Sequence, residues 1–135
     1  MQVQACLTFG GRCEEALDFY QKAIGAEVTM VMRWNESPDP AIKAPPGWEE
    51  KIMHAAFKIG ETTLMADDGM RPEKAEFKGV MLSINVPDDA EAKRVFDALS
   101  DGATIDMPLT KTFWTSSFGM LHDRFGVPWM VNVEA

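Results

Sequence analysis

The sequence has few of the residues that most often hold metal ions or carry redox chemistry. Only two of its 135 residues are cysteine and two are histidine, and the cysteines, Cys6 and Cys13, do not form a CxxC pair. Neither a zinc motif nor a dithiol redox motif is therefore predicted. The spacing of Cys6 and Cys13 allows a disulfide bridge between them, but nothing else in the sequence supports one.

Long apolar runs and a surplus of basic residues are missing as well. The chain has no signal peptide and no run of the ~18 apolar residues that a membrane helix needs, so we expect a cytoplasmic protein. Thirteen Lys and Arg stand against 21 Asp and Glu, a formal net charge of −8. Nucleic acids and anionic membranes both attract positive charge, so we expect neither as a partner.

An internal repeat organises what is present. The stretch 7–28, LTFGGRCEEALDFYQKAIGAEV, returns in weaker form 77 positions later at 84–105, INVPDDAEAKRVFDALSDGATI. At that offset Phe19 meets Phe96, and both copies close on a Gly-Ala pair. Each copy has the pattern of a strand, a turn, an amphipathic helix and a second strand. The chain is therefore predicted to fold as two similar halves.

Apolar periodicity sets the predicted elements within each half. Helical spacing predicts helices near Cys13–Ile24 and Asp89–Ser100, and hairpins are predicted over 51–66 and 116–133. The hairpins repeat at an apparent offset of 66, which aligns Gly60 with Gly126.

These elements give an α+β fold of two βαβββ modules that form a curved eight-stranded mixed sheet around a cleft. We assign module one to 1–69, a linker to 70–77 and module two to 78–135, all within a single domain of 1–135.

The segment Asn35–Glu50 interrupts the first half. It holds four of the eight prolines and is predicted to be irregular. Long loops in compact domains often serve a function. We expect Trp48, a large apolar side chain in this polar segment, to cover a pocket or to pack on a partner subunit.

Several of these stretches in combination resemble a known family. They are EEALDFYQKAIGAEV, IMHAAFKIGETTLMADD, VPDDAEAKRVFDALSDGATI and FGMLHDRFGVPWMVN. They are similar to the vicinal oxygen chelate superfamily, which includes glyoxalase I, bleomycin-resistance proteins and extradiol dioxygenases. The likeness is greatest to its PhnB-like branch, also labelled 3-demethylubiquinone methyltransferase-like. It implies a homodimer with pockets lined by concave sheets, but no settled reaction, and no Gly-rich turn supports S-adenosylmethionine binding.

The resemblance also locates the metal ligands of the superfamily, which lie on the first and last strands of each module. Strand alternation places Trp129, Val131 and Val133 of the last strand towards the cleft. The positions that match the ligand set of glyoxalase I are Gln4, Met65, Met81 and Val131. Of these only Gln4 suits a hard divalent ion, so we predict no ordinary metal site and no cofactor.

Two imidazoles and one thiol are the candidate catalytic groups. The offset of 66 aligns His54 with Met120 and His122 with Ala56, which places both histidines on the predicted cleft. Two roles fit each histidine, that of a hydrogen-bonded structural residue and that of a general base. Cys6 faces the same way and would act as a nucleophile only with a lowered pKa and a base such as His54. A small core cysteine is the alternative.

The remaining predicted lining is apolar. Methionines and aromatic side chains on the cleft suggest a pocket for an apolar or aromatic small molecule. The predicted ligand-binding residues are Gln4, Cys6, His54, Met65, Met81, Trp114 and His122. Three functions fit this lining: a metal-independent binding protein of the bleomycin-resistance type, a glyoxalase-type lyase, isomerase or dioxygenase with a His base or a non-standard metal site, and a structural or regulatory dimer.

Overall fold

A computed structural model describes residues 1–134 and divides the chain into two units, which meet at the boundary between Ala75 and Glu76. Each unit has one helix and four strands in the order βαβββ, which confirms the predicted α+β fold. The first unit contains β1 Cys6–Thr8, α1 Cys13–Ile24, β2 Glu27–Arg33, a 3-10 turn Trp34–Glu36, β3 Ile52–Ile59 and β4 Thr62–Asp67. The second contains β5 Leu82–Val86, α2 Asp89–Leu99, β6 Thr104–Thr110, β7 Phe118–His122 and β8 Pro128–Val133.

The two sheets share one topology. Their strand orders are β1-β4-β3-β2 and β5-β8-β7-β6, so the first and last strands of each unit are neighbours. These neighbours pair parallel, and the other pairs are antiparallel. In the described residues 1–134, no helix is long and apolar enough to cross a bilayer.

The helix of each unit covers one face of its sheet. In the first unit the Tyr20 ring of α1 stacks on Phe57 of β3 with centroids 6.1 Å apart. In the second unit α2 packs on β8, whose Val131 is fully buried. Gly119 also lies on that side, because an added Cβ would approach the Phe96 ring to 2.6 Å. Since side chains alternate along a strand, every second residue points to the opposite face.

Each unit contains a buried carboxylate that binds backbone N–H groups. Asp68, 1% exposed, accepts from the backbone N–H of Gly11, Cys13 and Ile52 at 2.8–2.9 Å. It thereby ties the start of α1 to the start of β3. Charged acceptors of this kind form the stronger class of hydrogen bonds.

Asp123 does the same for the β7–β8 turn. It accepts from the N–H of Phe125 and Val127 and from the indole Nε1 of Trp129, at 2.8–3.1 Å. The HDRFGVPW stretch is part of the family resemblance. Its role in this structure is to form this turn.

The first strand is shorter than the alternation of Val3, Ala5, Leu7 and Phe9 in the sequence. Only Cys6–Thr8 form the strand, and Val3 is 93% exposed. Trp48 also differs from expectation. It is 5% exposed within the first unit, and its Nε1 donates to the Gly69 carbonyl at 2.8 Å. It therefore packs inside its own unit instead of covering a pocket or a partner. Both cysteines are free thiols.

A β-bulge occurs at the same place in both units. Val28 pairs with Phe57, but Met30 pairs with the adjacent Ala56, so Thr29 is an extra residue. In β6 the pairs Ile105–Leu121 and Met107–Met120 leave Asp106 extra, 77 positions after Thr29. Simple alternation along β2 would put Val28, Met30 and Met32 on one face, but the bulge moves Val28 to the helix side.

The register also corrects the predicted offset of the hairpins. Ala56 pairs with Met65, and the equivalent pair in the second unit is Met120 with Met130. The offsets are therefore 64 on β3/β7 and 65 on β4/β8, not 66. On this register His54 corresponds to Phe118 and His122 to Lys58, so the predicted alignments with Met120 and Ala56 are wrong.

Candidate ligand-binding faces

We call the sheet face opposite α1 the first open face. One register row crosses all four of its strands and consists of Cys6, Met65, Ala56 and Met30. The next row holds the pairs Thr8–Asp67 and Met32–His54. Three of the predicted ligand-binding residues, Cys6, His54 and Met65, thus lie on this face. Gln4 is half-buried just before β1, beside the Ala5 carbonyl that accepts from Met65 N–H.

The Cys6 thiol is a poor nucleophile at neutral pH. Burial raises the pKa of Cys6 to about 11, and the charge of Asp67 and a hydrogen bond to it act in the same direction. The thiol donates to Asp67 Oδ2 at 3.6 Å. A catalytic thiol needs the opposite shift, so the geometry argues against a nucleophile. The alternative of a small core cysteine is wrong, because Cys6 is exposed. Asp67, the partner of this thiol, was not among the predicted site residues.

The second open face is the side of the second sheet opposite α2. One row of paired residues crosses it completely and consists of Ser83, Met130, Met120 and Met107. The pairing corrects the predicted orientation of β8. Ser83 pairs with Met130, and Trp129, Val131 and Val133 are buried towards the helix instead of facing a cleft. The last-strand residues available on the open face are therefore Met130 and Asn132.

Aromatic rings and amides occupy one end of this face. Trp114 Nε1 donates to Asn132 Oδ1, and Asn132 Nδ2 donates to Asn85 Oδ1, both at 3.2 Å. The Trp114 ring, 48% exposed, lies edge-on to Phe118 at 5.2 Å. The structure thus brings predicted residue Trp114 next to Asn132, which was not predicted, and through it to Asn85. Met81 precedes β5 with the same orientation as Ser83.

His122 lies at the other end of the second open face. Its Nδ1 is 2.5 Å from Asp106 Oδ2, and both side chains are partly exposed. No motif in the sequence pointed to Asp106, because the side chain reaches His122 only through the β6 bulge. In contrast, the half-buried His54 has no side-chain hydrogen-bond partner among residues 1–134.

The residues at the strand positions where the superfamily places its metal ligands do not fit a divalent ion. Within the described residues of either unit, no three His, Cys, Asp or Glu side chains lie together as a metal site. The corrected register puts methionines, Ser83 and Asn132 at the strand positions in question. Thioethers, a hydroxyl and amides are not the imidazole and carboxylate set that nickel, zinc or iron requires.

A separate groove of ≈ 660 Å³ lies on the helix side of the first sheet. It is lined by Gly11, Glu14, Glu15, Asp18, Arg33, Glu50, Lys51 and Asp68. Both of its cations are already engaged: Arg33 binds Glu14, which raises the pKa of that guanidinium, and Lys51 Nζ donates to the Gly11 carbonyl at 2.9 Å. These contacts stabilise the loop against α1 and leave the open faces as the candidate site.

Comparison with known proteins gives similarity over the whole chain. Residues 1–132 match the family described as 3-demethylubiquinone-9 3-methyltransferase. Protein YjdN of Escherichia coli is 36% identical, over 98% of this chain and 95% of its own. The crystal structure of PA1353 from Pseudomonas aeruginosa is 42% identical with a TM-score of 0.86, over 99% and 98% of the two chains. A putative 3-demethylubiquinone-9 3-methyltransferase, PhnB protein, from Bacillus cereus is 26% identical with a TM-score of 0.83, over 99% and 100%.

More distant structures share the fold alone. The fosfomycin resistance protein FosX from Mesorhizobium loti is 12% identical with a TM-score of 0.67, over 100% of this chain and 92% of its own. The methyltransferase activity named in the family description does not fit the topology of these two sheets. Each sheet has a single parallel strand pair, whereas nucleotide-binding folds of the Rossmann type use a parallel, doubly wound sheet.

Proposed function

Since the chain belongs to the 3-demethylubiquinone-9 3-methyltransferase family, in the PhnB-like branch of the vicinal oxygen chelate superfamily, we propose that it binds a small organic molecule on its open faces. Binding occurs without a divalent metal and without another cofactor. The observation that carries this proposal is the row of Ser83, Met130, Met120 and Met107 across the second open face.

The row has the chemistry of an adaptable apolar binding surface. Thioethers pack favourably on aromatic rings and adjust to ligands of different shape. Polar groups stand at both ends: the Asn132 amide beside Trp114, and the His122 imidazole. An apolar floor with a few polar groups at its edge is the usual composition of a small-molecule site. Cys6, Met65, Ala56 and Met30 form the smaller counterpart on the first open face.

We further propose a homodimer in the cytoplasm. Phe113 is 97% exposed and stacks edge-on with Trp114 at 4.9 Å, and Val3 is almost fully exposed. Exposed apolar groups of this size favour association with a second copy. Two free thiols suit a reducing compartment. Light scattering should give twice the 15.0 kDa chain mass, and a single-chain mass at micromolar concentration would reject the dimer.

A neutral aromatic compound tests ligand binding directly. In EDTA, 4-nitroanisole should quench tryptophan fluorescence saturably, because Trp114 borders the methionine row on the second open face. Met130→Glu places a charge in the middle of that row and should weaken binding about tenfold or more. Met70→Glu is the matched control, since Met70 lies outside the strands and is 67% exposed.

The two variants also separate this proposal from its rivals. Equal binding by Met130→Glu and Met70→Glu would remove the second open face as the site. Binding that appears only after Zn²⁺ or Ni²⁺ is added would favour the enzyme with a non-standard metal site. Absence of saturable quenching would favour a structural or regulatory dimer.

A further inference from the structure

The His122–Asp106 pair distinguishes the second unit from the first. Both sheets have the same bulge, but the first unit has Thr29 and Lys58 where the second has Asp106 and His122. The Thr29 hydroxyl donates to the Ala56 carbonyl at 3.2 Å and forms no such pair. Bulges commonly redirect a side chain at functional sites. Here the bulge residue forms a hydrogen bond to the backbone in the first unit (Thr29) and pairs with an imidazole in the second (Asp106).

The contact determines which imidazole nitrogen is available. A carboxylate oxygen only accepts hydrogen bonds, so Nδ1 carries the proton and donates to Asp106 Oδ2 across 2.5 Å. In the neutral ring Nε2 then has a lone pair and no proton. The His122 side chain is 45% exposed, and Nε2 has no partner among residues 1–134. The Nε2 lone pair of His122 is therefore available to a hydrogen-bond donor from outside the chain.

We propose that His122 Nε2 accepts a hydrogen bond from the hydroxyl of an aromatic ligand, with Asp106 as the positioning residue. This rests on the proposed function and names the ligand class of the same face. Met120 precedes His122 by two residues on β7, about 7 Å along the strand. A ring lying on the Met107–Met120 pair would thus direct a hydroxyl substituent at the imidazole.

Complete proton transfer would follow the same geometry. The O–H bond of the ligand breaks, its proton joins Nε2, and the electron pair stays on the ligand oxygen as a phenolate. The imidazolium so formed keeps its Nδ1–H bond to the Asp106 carboxylate, which stabilises its charge. No oxidant, reductant or further reactant is consumed.

Two probes that differ by one methyl group test the ligand class. 4-Methylphenol keeps its hydroxyl proton at pH 8, and 4-methylanisole is its methyl ether. The wild-type protein should bind 4-methylphenol about three- to tenfold more tightly at pH 8, the range that one hydrogen bond supplies. His122→Phe should abolish that preference while retaining binding of 4-methylanisole. If neither compound binds, the proposed function fails; if both bind equally well to the wild type, only the role of His122 fails.

A separate readout tests the positioning role of Asp106. Long-range ¹H–¹⁵N spectra should show the Nδ1–H tautomer of neutral His122 in the wild type. Asp106→Asn should shift it towards the Nε2–H tautomer and reduce the preference for 4-methylphenol. The matched control is Asp97→Asn on α2, whose carboxylate pairs with Lys93 and should change neither signal. An Nε2–H tautomer in the wild type, or no change in Asp106→Asn, would overturn the proposal.

Discussion

Asp68→Ala should lower the free energy of unfolding by about 3–5 kcal/mol, the largest effect that we expect from any single substitution here. The carboxylate is 1% exposed and binds three backbone N–H groups, from Gly11, Cys13 and Ile52. Its removal leaves those donors buried without an acceptor. Thermal unfolding should then begin on the order of 10–20 °C lower than in the wild type.

The neighbouring aspartate supplies the matched control. Asp67 is partly exposed and, within residues 1–134, accepts only from the Gly69 N–H and the Cys6 thiol, so Asp67→Ala should lower the free energy of unfolding by about 1 kcal/mol. Asp68→Asn keeps the shape of the side chain but has one acceptor oxygen fewer. Its loss of stability should fall between those of Asp67→Ala and Asp68→Ala. Equal melting temperatures for Asp67→Ala and Asp68→Ala would show that the three backbone bonds contribute little.

Asp123→Ala should destabilise the second unit by about 2–4 kcal/mol. The carboxylate is 4% exposed and joins the N–H of Phe125 and Val127 to the Trp129 indole. Without it the β7–β8 turn loses its acceptor and a buried indole N–H is left unpaired. Urea unfolding followed by tryptophan fluorescence measures the loss.

An exposed carboxylate of the same unit tests whether burial causes the effect. Asp101 pairs with Arg124 at 2.8 Å, but its side chain is 78% exposed. Asp101→Ala should therefore change stability by less than about 1 kcal/mol, as is usual for surface ion pairs. A loss in Asp101→Ala as large as that in Asp123→Ala would contradict the account of the turn.

Local patterns were sufficient to predict the elements. The predicted helix Cys13–Ile24 has those bounds in the structure, and the second differs only at its end, where Leu99 replaces Ser100. The apolar spacing of a helix and the alternation of a hairpin are properties of adjacent residues, so a single sequence contains them. The order βαβββ follows from the same information.

The register was not available from local patterns. The predicted offset of 66 aligned Gly60 with Gly126, but the two glycines occupy different positions in their turns. Ile59 pairs with Thr62 across two residues, whereas Asp123 N–H donates to the Val127 carbonyl across three. A one-residue slip turns every side chain of a strand to the other face. Val131 was therefore placed on the cleft side although it is buried under α2.

The sequence predicted only part of the candidate site, again because local patterns do not give the register. Residues on strands with correct alternation, such as Cys6, Met65 and His54, lie together on the first open face. Met130, Asn132 and Asp106 were missed, because two of them depend on the β8 register and one on a bulge. The bulge at Thr29 recurs 77 residues later, so an alignment of the two halves that allows for an extra residue would have indicated Asp106.

Methionine methyl NMR tests most directly whether an organic ligand binds the second open face without a metal. With EDTA present, 4-nitroanisole should shift the methyl signals of Met107, Met120 and Met130, whose side chains form the row across that face. The signal of Met70, which lies outside the strands, should stay in place. Unchanged signals for all three row methionines in EDTA, with shifts only after Zn²⁺ or Ni²⁺ is added, would contradict metal-free binding.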